Sequence, residues 1–315
     1  MSDPRPHLGF ESENQLKAFI RALSGAAIPG KFAYVGEAAA NYNTHALTRE
    51  YRQITRSVAE ESALLSEVWD QELNSAGTLV DVGPGNGLHS AALLQRLLPA
   101  VGWLPSEYLA IDYSFHMAEI AKRNMKSLIP EIQVNSILYD IESTFTRESS
   151  HLPDVLESMY FLLGNTIGNV ESISRAIQGI RSLAGDGARL LVGCALFEEY
   201  RSAESYLKPY RMSTYRDCVL HPLTMIGVPR HIIAFDVEFN PDTRTISTLA
   251  RFSEDFSATV LDESVVVKAG STIRCALSRR FLPGEIPDLL RQLDVSVLGM
   301  AEDLPNGHGT YCTII

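Results

Sequence analysis

The chain has 315 residues, 45% of them hydrophobic, with 27 Lys and Arg against 38 Asp and Glu for a net charge of −11. That length buries one large core with an elaboration, or two modest domains, and the scattered acids repel a phosphate backbone, which excludes nucleic acid and favours a small-molecule substrate. The four cysteines, Cys194, Cys218, Cys275 and Cys312, include no C-x-x-C pair, so they read as buried thiols in a reducing compartment, with neither a metal site nor a disulfide framework expected.

From the N-terminus, residues 1–7 carry no apolar leader, and no run of about 18 apolar residues follows anywhere, so the expectation is a cytoplasmic protein without a membrane partner. Leu16, Phe19, Ile20 and Leu23 recur at helical spacing before the breaker Pro29-Gly30. An irregular piece over 31–43 and a long helical stretch over 48–73 follow, so residues 1–75 read as a helical cap able to shut a substrate away from water. Residues 78–82 are a short β-branched and aliphatic run, glycines follow at 83, 85 and 87, and residues 88–98 are apolar at helical spacing. A strand, a tight glycine turn and a helix in that order point free backbone N–H groups at a nucleotide-like ligand.

The alternation continues with a strand at 107–112, a helix at 115–127 and strands at 131–138 and 157–163. A turn at 164–169, a helix at 171–183 and a strand at 188–194 complete it. This rhythm predicts an α/β fold with a mostly parallel sheet over 76–196, its ligand lying across the carboxyl ends of the strands at Gly83, Asp112, Asp140 and Asn169. Near Phe197 the rhythm changes: 198–228 reads as helical, and strands at 232–239, 245–252, 258–267 and 272–281 joined by short turns predict an antiparallel sheet. Residues 197–282 are therefore an inserted α+β second lobe. Residues 283–315 then supply a helix at 284–292 and the last two strands of the parent sheet, 295–300 and 309–315.

A dinucleotide fingerprint would need glycine at 88, where the chain has Leu88; what stands here is Asp81-x-Gly83-x-Gly85-x-Gly87. That pattern resembles motif I of the class I, Rossmann-like S-adenosylmethionine (SAM) methyltransferases. Downstream, Asp112 closes a buried run where a carboxylate can accept both ribose hydroxyls of an adenosine. Asp140 suits the adenine exocyclic amine with Ile141 packing on the ring, although an Asp in this place also serves as a helix N-cap.

Four further stretches carry a narrower resemblance: Lys31-Phe-Ala-Tyr34, Glu50-Tyr51, Gly164-Asn-Thr-Ile-Gly-Asn169 and Thr272-Ile-Arg-Cys-Ala276-Leu-Ser278. Together they resemble the histidine-specific methyltransferase family, whose best-known members trimethylate the α-amine of histidine. The resemblance implies SAM as co-substrate, held by Asp81, Gly83, Gly85, Gly87, His89, Asp112, Asp140 and Ile141. It implies Asn169 on the substrate's α-amino or carboxylate group, and Tyr51 with either Tyr210 or Tyr206 on the carboxylate. Tyr34 would sit beside the reacting amine as a proton acceptor, with an ordered water as the other candidate, and Ala276 and Ser278 would face the side chain. A zwitterionic amino acid does want neutral donors for its carboxylate and an acceptor for its amine. Core or surface packing of Tyr34, Tyr51 and Tyr210, a capping role for His89 and a plain strand role for Ser278 are the competing readings.

Two departures bear on the substrate. The family glutamate that faces the imidazole is Ala276 here, so a bound histidine ring would lose its partner at a cost of about 1–3 kcal/mol. The family's Glu-Tyr-Tyr-Pro-Thr-Arg segment also reads Glu50-Tyr-Arg-Gln-Ile-Thr55, and His89 stands in place of a lysine. The expectation is a SAM-dependent N-methyltransferase acting on an amino acid, or a metabolite derived from one, with an apolar or aromatic side chain instead of imidazole. An enzyme that moves or cyclises the aminocarboxypropyl arm and releases methylthioadenosine is the alternative, followed by a SAM-binding protein without turnover.

Overall fold

The computed structural model describes residues 9–52, 57–68, 76–143 and 158–315. Residues 1–7, the Gln-Ile-Thr part of the cap segment at 53–55, the stretch 69–73 of the expected long helix and residue 157 of the fourth strand lie outside the described residues.

Seven strands form the central sheet: β1 (Thr78–Val82), β2 (Glu107–Asp112), β3 (Gln133–Leu138), β4 (Ser158–Leu162), β5 (Arg189–Ala195), β11 (Ser296–Asp303) and β12 (His308–Ile314). Their order is β11-β12-β5-β4-β1-β2-β3, parallel from β5 to β3, with β12 and β11 antiparallel as the returning C-terminal strands. Every residue of β1 is buried, because β2 and β4 flank it and helices cover both faces, which is why its sequence is apolar apart from Thr78 and Asp81. One apolar layer holds Leu94 and Leu97 of α5 (Leu88–Val101) with Ala118 and Ala121 of α6 (Phe115–Leu128). The opposite layer holds Ile177 and Ile180 of α8 (Ile173–Ala184) with Ile286 and Leu290 of α11 (Glu285–Gln292). Strand order reverses between β1 and β4, the place where an open sheet of this kind leaves a crevice.

The N-terminal region departs from the expected pattern. Residues 31–43 are not irregular: Gly30–Tyr34 is a 3-10 turn and Ala38–Ala46 is a helix, α2, begun by three alanines of high helix propensity. The long helix is instead two pieces, α3 (Arg49–Arg52) and α4 (Val58–Glu67). Together with α1 (Glu13–Ser24), the 3-10 turn and α2 share one apolar cluster with the inserted lobe, whereas Leu64 and Leu65 of α4 pack in the layer of α5 and α6. Phe19, Phe32 and Ala39 pack with Cys218 and Leu223 of α10 (Ser213–Met225), Phe252 of β7 (Thr245–Phe252) and Ile273 of β10 (Thr272–Arg279).

The lobe carries a three-stranded antiparallel sheet, β10-β7-β6, with β6 at Ile233–Asn240. The expected single strand at 258–267 is a hairpin, β8 (Phe256–Val260) and β9 (Glu263–Val267), forming a separate two-stranded sheet. Leu261 and Asp262 reverse the chain there with φ of 51° and 64°, two consecutive left-handed residues of the sort a two-residue hairpin needs. The cap is stitched to the lobe by backbone as well: the Ile28 amide donates to the Arg274 carbonyl (2.7 Å) and the Arg274 amide to Ala26 (3.1 Å), so residues 26–28 run along β10. No described helix is long and apolar enough to cross a membrane.

Candidate active site

A cleft of about 470 Å³ opens over the carboxyl ends of β1, β2 and β4. Its floor is the glycine turn. Gly83 and Gly85 have φ of 63° and 55°, left-handed values that favour glycine, and a Cβ on Gly83 would stand 2.9 Å from Thr166 Cγ2, so Thr166 packs directly on the turn. Gly87 does not line it; a Cβ there would come within 3.0 Å of the Ala121 backbone, so this glycine lets α5 lie against α6. Asp81 sits at the back, buried, accepting the Tyr108 hydroxyl (2.8 Å), and burial pushes its carboxyl up to about 6.

Asp112 ends β2 at the cleft wall, where its Oδ1 accepts the Ser114 amide (2.8 Å). Burial, and then the charge of Glu11, push its carboxyl up to about 7 against the pull of that amide. Asp140 also reaches the cleft, but not as a free acceptor: its Oδ2 is paired with Lys31 Nζ at 2.6 Å and its Oδ1 accepts the Glu142 amide at 3.1 Å. Lys31 in turn lies 4.8 Å from the Tyr113 ring centre. Ile141 lines the same wall beside Tyr139.

His89 is neither solvated nor a cap. Its Nε2 meets Glu61 Oε2 at 2.6 Å, and the other oxygen of that fully buried carboxylate lies 3.3 Å from His308 Nε2 and accepts the Ser57 hydroxyl at 2.7 Å. Burial by itself would lower the imidazole, but Glu61 outweighs it and raises His89 above its ordinary value. Burial likewise works to raise Glu61, and the two histidines overcome it and hold the carboxyl well below the usual range. The result is a buried charged cluster joining α4, α5 and β12.

The cleft is also lined by Tyr34, Tyr42, Tyr51 and Asn169, with the Tyr42 hydroxyl 3.3 Å from where a Cβ on Gly85 would stand. The Tyr34 and Tyr42 rings meet edge to face at 4.7 Å, and the Tyr42 and Tyr51 hydroxyls are 2.5 Å apart. Burial pushes the Tyr34 phenol well above 10 and that of Tyr51 up to about 12, so both stay protonated at neutral pH. A neutral phenol offers a lone pair for a hydrogen bond and has little basicity, so of the two expected proton acceptors this environment favours an ordered water over Tyr34.

Asn169 sits at the end of the one-turn helix α7 (Thr166–Asn169), and its Oδ1 accepts from Asn165 Nδ2 at 3.4 Å. Asn165 is buried in the left-handed region at φ 70°; its Oδ1 accepts the Ala195 amide (2.9 Å) and its Nδ2 also donates to Ser278 Oγ (3.1 Å).

Tyr210 and Ser278 lie behind the lining instead of in it: the Tyr210 hydroxyl donates to Ser278 Oγ (3.0 Å) and accepts from Arg280 Nη2 (2.8 Å). Ala276 also stands one layer back, buried, with its methyl 3.7 Å from where a Cβ on Gly30 would be. Tyr206 is elsewhere. Its hydroxyl is taken by the amide and carbonyl of Glu198, and its ring stacks on Phe197 and Phe239 in the core of the lobe, so of the two candidate tyrosines Tyr210 alone joins the network. Lys31, Tyr42 and Asn165 were not singled out from the sequence as site residues. A sequence signal existed for Asn165, a left-handed-tolerant residue directly after a strand and a glycine, and none for Tyr42, which waits on the unexpected helix α2.

A family model described as histidine-specific methyltransferase, SAM-dependent, matches residues 15–306 of the chain. None of the curated proteins compared matches it. Similar solved structures include magnesium protoporphyrin IX methyltransferase (ChlM) from Synechocystis PCC 6803 with bound SAH, 13% identical over 87% of this chain and 93% of that one, with a TM-score of 0.44. The CcbJ methyltransferase from Streptomyces caelestis is 14% identical over 81% of this chain and 88% of its own, with a TM-score of 0.40. The glycopeptide N-methyltransferase MtfA complexed with SAM is 10% identical over 83% and 93%, with a TM-score of 0.42.

Proposed function

Because the chain belongs to the histidine-specific, SAM-dependent methyltransferase family, and is therefore a SAM-dependent methyltransferase, we propose that it methylates the amine of an amino acid or an amino-acid-derived metabolite whose side chain is not imidazole. The observation that carries this reading is the division of charge along the cleft. Among the described residues its carboxylates, Asp81, Asp112, Asp140 and Glu142, all come from β1 and from the ends of β2 and β3, whereas the neutral Tyr34, Tyr42 and Tyr51 come from the cap and Asn169 from the turn after β4. The charged half suits an adenosine and a methionyl group; the neutral half suits a zwitterion that must present an uncharged amine.

The residues present fit SAM. Gly83, Gly85, Asp112, Ile141 and His89 all line one cleft, which supports a reading with Asp112 on the ribose hydroxyls, Ile141 on the adenine face and His89 near the methionyl end. When bound, SAM supplies an electrophilic methyl on a sulfonium, which needs no metal and no covalent enzyme intermediate. Tyr34 and Asn169 orient the amine by accepting its N–H groups, a positioning effect that can be worth several kcal/mol. Tyr51 donates to the carboxylate, and the proton leaves to water, since the phenols around the amine stay protonated. Gly30 lines the cleft with the Ala276 methyl packed behind it and no carboxylate at either position, which favours an apolar or aromatic side chain.

The test is turnover of an L-amino acid panel, including histidine, phenylalanine, tyrosine, tryptophan and leucine, with products read by mass spectrometry. Expected are an N-methylated amino acid and S-adenosylhomocysteine, with histidine at least about 10-fold poorer than the best acceptor, the factor that an unpaired buried imidazole implies. Histidine as the best acceptor would sink the side-chain assignment. Methylthioadenosine in place of S-adenosylhomocysteine would establish aminocarboxypropyl chemistry instead.

A further inference from the structure

We infer that Lys31 is a positioning residue that ties the acceptor side of the cleft to the cofactor side: it fastens the cap to the adenosine end through Asp140 and thereby sets Tyr34 beside the reacting amine. Lys31, Tyr34, Tyr113 and Asp140 all line the cleft. The Lys31 ammonium pairs with Asp140 Oδ2 at 2.6 Å, just past β3, and stands 4.8 Å from the ring centre of Tyr113, the residue after Asp112 at the end of β2. One side chain from the cap therefore bridges the two walls that hold the adenosine in this reading. Its turn is itself fixed: the next residue, Phe32, is 1% exposed and packs edge to face on Phe19 (5.3 Å) and on Tyr113 (5.4 Å).

Two features make this pair a joint between cofactor and acceptor. The first is the turn. In the 3-10 helix Gly30–Tyr34 three residues complete one turn, so the side chains at 31 and 34 eclipse, and the cation at the adenosine end moves as one piece with the phenol at the amine. The second is the carboxylate. An ionised Asp offers about four lone-pair sites, of which Lys31 and the Glu142 amide use two, leaving acceptors for the exocyclic amine of adenine. Asp140 then grips the base and the cap at once. With side chains 23% and 25% exposed the pair stands at the edge of water, where such a contact is weak; an adenosine packed against it excludes that water and strengthens the attraction. Filling the cofactor site thus tightens the turn that carries Tyr34.

The part given to Tyr34 rests on the amino-acid reading above, and the experiment separates the two. Hydrogen exchange over residues 30–42 is followed with and without saturating S-adenosylhomocysteine for the wild type, Lys31→Met and Lys31→Arg. The ligand is expected to slow exchange there by about 3- to 5-fold in the wild type and in Lys31→Arg, the span of a partly exposed ion pair, and to leave Lys31→Met unchanged. Protection of the glycine turn 83–87 in all three proteins shows that the site still fills. Independently, kcat at saturating SAM is measured with the best acceptor of the amino-acid panel for Lys31→Met, Tyr34→Phe and the double variant. Each single change should lower kcat by about 3- to 10-fold, the span of a neutral hydrogen bond, and the double variant should be within about 2-fold of the worse single one, because both changes remove the same contact. A lysine that only stabilised the fold would give losses that multiply. If no amino acid turns over but protection follows the charge at position 31, the fastening of the cap stands and the amino-acid reading fails. Undiminished protection in Lys31→Met, loss of it in Lys31→Arg with the glycine turn still protected, or losses in kcat that multiply in the double variant each overturns the inference.

Discussion

Asp112 offers the sharpest quantitative test of where SAM binds. In the free protein its carboxyl is pushed up to about 7 by burial and by Glu11, so near neutrality it is a mixture of two forms. Only the ionised form accepts both ribose hydroxyls, so binding should draw the group into that form and release a proton. With a single site titrating at about 7, roughly nine-tenths is ionised at pH 8 and roughly one-tenth at pH 6, so SAM should bind about 10-fold more weakly at pH 6. Asp112→Asn keeps the shape and removes the charge; it should weaken SAM binding at pH 8 by about 1.5–3 kcal/mol and flatten the pH dependence. Calorimetry at pH 6, 7 and 8 in two buffers of different ionisation enthalpy counts the protons, and titration of SAM itself cancels between the two proteins. A variant that shows the wild-type slope would assign the slope to another group, such as Asp81, and refute the ribose contact.

Glu61→Gln should destabilise the fold by about 3 kcal/mol, or roughly 5 °C in melting temperature, because it leaves His89 and His308 without their buried counter-charge. His89 has a raised folded value, so its contribution is full below its ordinary 6.5 and fades as pH rises through the folded value. Glu61 has a depressed one, so its contribution is present above its ordinary 4.5 and lost as pH falls through the folded value. The wild-type advantage over Glu61→Gln in thermal melts should therefore be greatest between those two values, and a gap that does not vary with pH would mean the cluster is not ionic. Gly87→Ala, at φ 74° and against the Ala121 backbone, should lower stability by about 1–2 kcal/mol yet leave SAM affinity of the folded protein within a factor of about two; a large affinity loss would put this glycine in the binding turn after all. Ala276→Glu should raise histidine turnover and depress that of the apolar acceptor, and a variant with an unaltered preference would show that the side chain never reaches this wall.

The element types of the Rossmann-like half and the insertion between β5 and the C-terminal strands were legible in the sequence, because each depends on local periodicity and on where glycines break it; the strand order that puts a switch point beside β1 was not. Thr78–Val82 could be read as a buried strand from its composition, and Asp112 placed at a strand end, without knowing any neighbour. Residues 258–267 misled, because an apolar run has the same appearance whether or not two of its residues turn left-handed. Motif spacing could not tell the roles of the three glycines apart: Gly83 and Gly85 line the cleft, against Thr166 and Tyr42, while Gly87 faces a helix that arrives from 34 positions further along the chain.

The chemistry of the cleft belongs to the tertiary structure. Whether Asp140 is free or held by Lys31, and whether His89 is solvated or paired with Glu61, follows from segments 109 and 28 residues apart in the chain meeting at 2.6 Å. The choice between Tyr206 and Tyr210 is of the same kind, since four residues of separation carry one ring into the lobe core and the other onto Ser278. A sequence records which groups can ionise or hydrogen-bond; the charge each one carries and the direction it donates are set by burial and by partners that only the folded chain brings together.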